Sequence, residues 1–96
     1  MSDKQNLIRL IKERIKECDE LIKENARTMK EAKGEPMMSS EVRGLLTAFC
    51  KSAIKHDRER KYYYELIRDS LQSIKDSELE HKEVVNKFIK QIKKYD

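Results

Sequence analysis

The stretch KHDRERKYYYELI, residues 55–67, decides the fold, because it either continues a long helix or interrupts it. Its first seven residues are polar, but none of them is Gly or Pro. On a helical wheel of 100° per residue, the apolar residues before and after this polar run fall in one sector. The sector holds Val42, Leu45, Leu46, Phe49, Ala53, Tyr63, Tyr64, Ile67, Leu71 and Ile74. Because a loop would scramble this phase, the pattern predicts one helix over about residues 40–75, roughly 54 Å long at 1.5 Å per residue.

A break inside this helix is the alternative. If the helix ended near Asp57, the chain would fold as a four-helix bundle. If it continues, His56 and Arg60 fall on the apolar sector and point inward, whereas Asp57 only flanks that sector. A buried guanidinium needs a partner, since an unpaired charge inside a protein costs several kcal/mol. We expect Arg60 to meet a carboxylate of the first helix, of a second subunit or of the C-terminus at Asp96, or a bound anion.

A first helix is predicted over about residues 3–33. Ser2 or Asp3 can cap it, and Gly34 is expected in the left-handed position that ends it. Its apolar residues alternate in steps of three and four, as in a heptad seam, and Asn25 fills the one missing position. The seam consists of Ile8, Ile11, Ile15, Cys18, Ile22, Met29 and Ala32.

A third helix is predicted over about residues 77–95. Ser77 and Glu80 have the spacing of a capping box at its start. Its core face holds Leu79, His81, Val84, Val85, Phe88, Ile92 and Tyr95. The chain is therefore expected to form a single all-α domain over residues 1–96, an antiparallel bundle of two long helices and one shorter helix.

The unequal helix lengths predict an arm. The third helix is short, so it folds back along the second helix only as far as about Arg58, and a two-helix arm stays uncovered. A lone hairpin cannot bury an apolar stripe on both flanks, so we expect a homodimer or higher homo-oligomer in which arms pair. The predicted interface consists of Ile22, Asn25, Met29, Val42, Leu45, Leu46 and Phe49.

Composition narrows the class of protein. The chain has 96 residues, of which 42% are charged and 38% hydrophobic, with a formal net charge of +4. No apolar run approaches the roughly 20 residues of a membrane span, and the N-terminal residues do not resemble a signal peptide. Cys18 and Cys50 lack the spacing of a redox motif, so we expect two reduced, partly buried thiols in a cytoplasmic protein without a membrane partner.

A basic cluster rich in tyrosine is the candidate ligand site. If the third helix ends beside residues 58–61, its last lysines join the cations of the second helix. Such a cluster can hold phosphate on Arg or Lys and stack a base on Tyr, although a solvated helix face gives the same pattern. The candidate anion-binding residues are His56, Arg58, Arg60, Lys61, Tyr63, Tyr64, Lys90, Lys93 and Lys94.

Catalytic and metal sites have little support in the sequence. Cys18 and His56 are expected at the same level of the bundle, but no third group or oxyanion donor accompanies them. Only one Glu-x-x-His motif is present, ending at His81, whereas carboxylate di-metal bundles need two. We therefore expect no metal or cofactor and no enzyme. The predicted function is a small helical binding protein, such as an oligomeric adaptor, inhibitor or assembly subunit. The alternative is a binder of a nucleotide or nucleic acid through residues 55–64 and 90–95.

Overall fold

A computed structural model describes residues 3–96, with only the backbone of Glu80 described. Its three α-helices are α1 (Asp3–Gly34), α2 (Ser40–Ser73) and α3 (Lys82–Lys94), and a 3-10 helix (Asp76–Glu80) precedes α3. The described residues contain no strand, so the predicted all-α bundle is confirmed. The capping role predicted for Ser2 lies outside the described residues. None of the helices in the described part of the chain has the length and apolar content of a membrane span.

The second helix is continuous through the polar run, as predicted, and the four-helix alternative is wrong. It starts at a capped end, because the Ser39 hydroxyl accepts a hydrogen bond from the Val42 amide at 3.2 Å. With no Gly or Pro between residues 45 and 73, nothing in the local sequence interrupts the backbone hydrogen bonds after that point.

The C-terminal end of α1 is capped by an arginine side chain and not by a glycine in the left-handed conformation. No described residue has a positive φ, so the left-handed position predicted for Gly34 is wrong. The Arg43 guanidinium instead donates to the carbonyls of Ala32 at 2.9 Å, Glu35 at 2.7 Å and Met38 at 3.1 Å. Carbonyls at a helix end lack partners within the helix, and this single side chain supplies donors to the end of α1 and to the turn.

The start of the third helix differs from the prediction. Ser77 does not cap α3, because it lies inside the 3-10 helix, and α3 begins at Lys82 after His81. His81 is exposed at this junction and does not join the core face. The remaining predicted core residues of this segment are buried or half-buried, and Leu79 and Ile92 are the most deeply buried of them.

The buried face of α2 follows a seven-residue repeat. Cys50, Asp57, Tyr64 and Leu71 are all buried and lie seven residues apart. An ideal straight helix drifts about 20° per heptad relative to such a repeat. The inward direction predicted at a fixed 100° per residue therefore departs further from the buried face with each heptad along α2. Over the three heptads from Leu71 back to Cys50, the error reaches about 60°.

This drift explains which inward residues were predicted wrongly. Val42, Leu45 and Phe49 are 52%, 67% and 70% exposed, and the side chain of His56 is also exposed. In the N-terminal half of α2, the buried residues are instead Cys50, Ile54 and Asp57. The inward residues that were predicted correctly are buried or half-buried: Leu46, Ala53, Arg60, Tyr64, Ile67, Leu71 and Ile74. Tyr63 is exposed.

The fold ends in the predicted bare arm. α3 returns along α2 only to Arg60, whose Nε donates to the Tyr95 carbonyl at 2.7 Å. The molecule is therefore a rod of 59 × 19 × 16 Å with a radius of gyration of 18.2 Å. A compact domain of this length would have a radius of gyration of about 12.5 Å. Beyond the end of α3, residues of α1 and α2 form a two-helix arm that the third helix does not cover.

Candidate functional site

A layer of hydrogen-bonded polar side chains crosses the bundle where α3 ends, and two of them, Asp57 and Tyr64, are buried. The Arg60 guanidinium donates through Nη1 to Asp57 Oδ1 at 3.2 Å and through Nη2 to the Tyr64 hydroxyl at 3.4 Å. The Tyr64 hydroxyl donates to Asp96 Oδ1 at 2.7 Å, and Arg14 Nε lies 3.0 Å from the same carboxylate oxygen. We call these five residues the polar layer. It joins α1 and α2 to Asp96, just after the end of α3, and leaves Arg60 partnered within the chain.

A row of tyrosine rings runs outward from the polar layer. The buried Tyr64 ring meets Tyr95 edge-on at 6.4 Å, and Tyr95 stacks on Tyr63 with ring centres 4.5 Å apart and planes 9° apart. Tyr62 meets Tyr63 edge-on at 5.8 Å and is 58% exposed. Because the hydroxyl of Tyr64 is held in the polar layer, this tyrosine row presents its outermost ring from a fixed support. Burial, followed by the hydrogen bond to Asp96, raises the pKa of Tyr64.

The predicted basic cluster is only partly assembled. Arg60 and Tyr64 are used in the polar layer, and Lys61 Nζ lies 2.8 Å from Asp19 Oδ1. The hydrogen bond to Asp19 raises the pKa of Lys61. His56 faces solvent, with its Nδ1 3.9 Å from Asp57 Oδ1. Three of the nine predicted residues, Arg60, Lys61 and Tyr64, therefore contact other side chains of the protein instead of lining one anion site.

The other predicted residues stay on the surface. Arg58 on α2 and the three lysines of α3, Lys90, Lys93 and Lys94, are exposed. The Lys94 ammonium lies 5.8 Å from the centre of the Tyr95 ring, and Tyr63 carries the stacked Tyr95. The end of α3 is thus basic and aromatic.

The predicted interface residues divide into two groups. Ile22, Met29 and Leu46 are half-buried in the chain. Asn25 is also half-buried, and its Nδ2 donates to the Leu21 carbonyl of its own helix at 3.0 Å. The exposed members are Val42, Leu45 and Phe49, which we call the apolar face.

Two depressions lie on one side of the arm, and both are lined by basic residues. One has a volume of about 620 Å³ and is open to solvent, and seven of its eight lining residues belong to α2. It is lined by Met29, Lys51, Ile54, Lys55, Arg58, Glu59, Tyr62 and Tyr63. The other, of about 410 Å³, shares Lys51 and includes Lys33 and Arg43. The sequence prediction did not include Lys51 and treated Lys55 as part of a solvated face.

The opposite side of the arm carries carboxylates. A hollow of about 230 Å³ near the tip is lined by Thr28, Glu31, Ala32, Glu35, Met38 and Leu46. Another, beside the end of α3, is lined by Arg14, Glu17, Arg60 and Asp96. Thr28, Glu31 and Leu46 lie two heptads from Arg14, Glu17 and Arg60, respectively. Because positions two heptads apart share a face, the hollow at the tip lies on the side of the arm where α3 packs farther along.

No protein-family model, curated protein or solved structure matches this chain.

Proposed function

We propose that this protein is a non-enzymatic helical binding protein that acts through its arm, and that the arm pairs with a second copy of the chain. The observation that supports this most directly is the apolar face, three large side chains that are more than half exposed on one helix. Contiguous exposed apolar residues of this kind mark protein–protein contact sites on helical proteins.

The apolar face lies beside the surface of α2 that α3 covers. Phe49 and Val42 lie two and three heptads before Tyr63, and Tyr63 stacks on Tyr95 just beyond α3. Residues a whole number of heptads apart share a face in a packed helix pair. A helix or arm laid on the apolar face therefore packs next to an existing interface of the bundle, which favours a helical partner.

A second copy fits this surface in an antiparallel arrangement. A two-fold axis near Leu45 and Phe49 places the apolar stripe of one α2 on the stripe of the other, as an isologous interface requires. The same axis brings the arm tip, with Glu31 and Glu35 in its hollow, toward the partner's basic end of α3. The acidic tip then lies nearer the partner's basic end of α3 than it would in a parallel arrangement, which favours the antiparallel orientation.

The pairing is expected to be moderate in strength. Burying the exposed parts of the three apolar side chains is worth about 1–2 kcal/mol each, or roughly 6–12 kcal/mol over two chains. Association costs on the order of 4–15 kcal/mol in lost freedom. We therefore expect a dimer that dissociates on dilution, and this supports a role as an adaptor, inhibitor or assembly subunit that exchanges partners. Two buried free thiols, Cys18 and Cys50, favour a reducing compartment such as the cytoplasm.

Light scattering across a dilution series tests the proposal. Leu45→Asp and Phe49→Asp are expected to give the mass of one chain at concentrations where the unmodified protein is a dimer. Leu66→Asp is the matched control, because Leu66 is 45% exposed on the same helix, three heptads after Leu45, outside the arm. A single-chain mass for the unmodified protein at every concentration would refute self-association.

The alternative function, nucleotide or nucleic-acid binding through residues 55–64 and 90–95, has weaker support as first predicted. Arg60, Lys61 and Tyr64 are engaged within the chain. The nucleotide-binding function predicts that Arg60→Ala lowers affinity for a nucleotide far more than Lys12→Ala does. The ratio of absorbance at 260 and 280 nm across a size-exclusion peak would show a co-purified nucleotide.

A further inference from the structure

We infer that the outer face of α2 binds a single-stranded nucleic acid, with phosphates on Lys51, Lys55 and Arg58 and a base stacked on Tyr62. This site lies apart from the apolar face, so it does not depend on whether the arm pairs with a second copy.

The four residues form a straight row. Steps of four, three and four residues keep them on one helix face, and at 1.5 Å per residue the row rises by about 6, 4.5 and 6 Å. All four are exposed, and all four line the same open depression of about 620 Å³. Among the described residues, the three cations make no ion pair with a carboxylate, and Glu59 is the only acidic side chain lining the depression.

The aromatic end of the row is held in place. Tyr62 rests edge-on against Tyr63, which stacks on Tyr95, which in turn contacts the buried Tyr64. A ring that is supported in this way loses little freedom when a base stacks on it. Cations that follow a backbone, combined with an aromatic platform beside them, are the two components of single-strand binding sites.

The depression also has an apolar component for a base. Ile54 is buried, Met29 is half-buried, and both line the depression beside the cations. The neighbouring depression shares Lys51 and adds Lys33, which is also exposed, so positive charge continues toward the arm tip. A strand could therefore run along the arm from Tyr62 toward Lys33, a track of several nucleotides. A lone phosphate or free nucleotide would use only part of this surface.

A comparable row on α1 shows why the row on α2 stands out. Lys23, Arg27 and Lys30 are exposed and have the same spacing of four and three residues. Glu20, Glu24 and Glu31 interrupt that row, which is the alternating pattern of a solvated helix face. Beside Lys51, Lys55 and Arg58 the surface instead holds Thr47, Ala48 and Ser52, with Glu59 as the one carboxylate in the depression. The two rows therefore match in spacing and charge, and the row on α2 has fewer acidic neighbours than the row on α1.

Fluorescence anisotropy with a labelled oligothymidylate of about 12 nucleotides tests the inference, since site sizes of ~4–16 nucleotides are usual. Three phosphate contacts on a single strand predict a salt slope of about −2.1 in log–log form, so fourfold more salt lowers affinity about 18-fold. With Lys51, Lys55 and Arg58 all changed to Gln, we expect this dependence to fall below about twofold. The matched control changes Lys23, Arg27 and Lys30 to Gln and is expected to keep the original slope.

The base-stacking step has its own readout. Tyr62→Ala is expected to weaken oligothymidylate binding about 5- to 140-fold, which corresponds to the usual contribution of one stacked base. Tyr62→Phe keeps the ring and should retain binding, and neither change should alter the affinity for inorganic polyphosphate. Circular dichroism and light scattering confirm that each variant keeps its helices and its mass.

Three results would overturn the inference. One is no oligothymidylate binding at low salt. Another is an equal loss of salt dependence in the α1 control variant, which would mean that diffuse positive charge binds the strand. The third is an unchanged affinity in Tyr62→Ala, which means that no base stacks there.

Discussion

Replacing Arg60 with Leu should leave the buried carboxylate of Asp57 without its ion-pair partner, and the structure allows the loss of stability to be estimated. The side chain of Asp57 is 8% exposed, and Arg60 Nη1 is 3.2 Å from its Oδ1. The exposed His56 lies 3.9 Å away and replaces this contact poorly. Removing one partner of a buried ion pair costs about 3–5 kcal/mol. The Tyr95 carbonyl loses its donor as well. We therefore expect Arg60→Leu to cost at least about 3 kcal/mol, which lowers Tm by roughly 12 °C or more.

A double-mutant cycle identifies the cause of that loss. In the Asp57→Leu/Arg60→Leu variant no carboxylate is stranded, so we expect it to be more stable than Arg60→Leu alone. The coupling free energy should exceed about 1.5 kcal/mol, whereas independent sites add within about 0.3–0.5 kcal/mol. Urea unfolding followed by circular dichroism measures it, at one fixed protein concentration, because self-association adds stability. Lys61→Leu, which removes a more exposed ion pair one residue later, should cost under about 1 kcal/mol. Additivity of the two single changes would refute the role given to the polar layer.

Three further predictions follow from burial and helix geometry. Gly44→Ala should raise the free energy of unfolding by about 0.5–1 kcal/mol, because a Cβ there meets nothing within 4 Å in a helix interior. A lower Tm would contradict this. Tyr64 stays protonated in the folded state after unfolded Tyr ionises, so stability should fall above about pH 10, less steeply in Tyr64→Phe. Equal slopes would argue against it. Cys18 and Cys50 are buried, and burial raises the pKa of Cys18, so neither should react with a thiol reagent before urea unfolds the chain.

The buried residues of α1 could be predicted from the sequence along its whole length, but those of α2 could be predicted only in part. The seam of α1 from Ile8 to Ala32 is buried or half-buried as predicted, because a heptad pattern on one helix contains its own phase. The face of α2 was predicted correctly near Leu71 and wrongly near Phe49, because supercoiling around α1 rotates the buried face by about 20° per heptad. For the candidate sites, the tyrosines and Arg58 were identified from the sequence, but Lys51 and the support of Tyr62 by the stacked rings of Tyr63 and Tyr95 were not.

The sequence by itself determined that the chain is helical, that α2 runs unbroken through residues 55–61, that a turn follows Gly34, and that α3 is too short to cover the arm. These properties depend on backbone preference, the absence of Gly and Pro, and residue counts, which act over short distances along the chain. Only the tertiary structure decided that Asp57 is buried, that Arg60 is held inside the chain, and that the apolar face is left open to solvent. Those outcomes depend on which side chains of other helices arrive at the same level, and the supercoil that brings them there arises from packing.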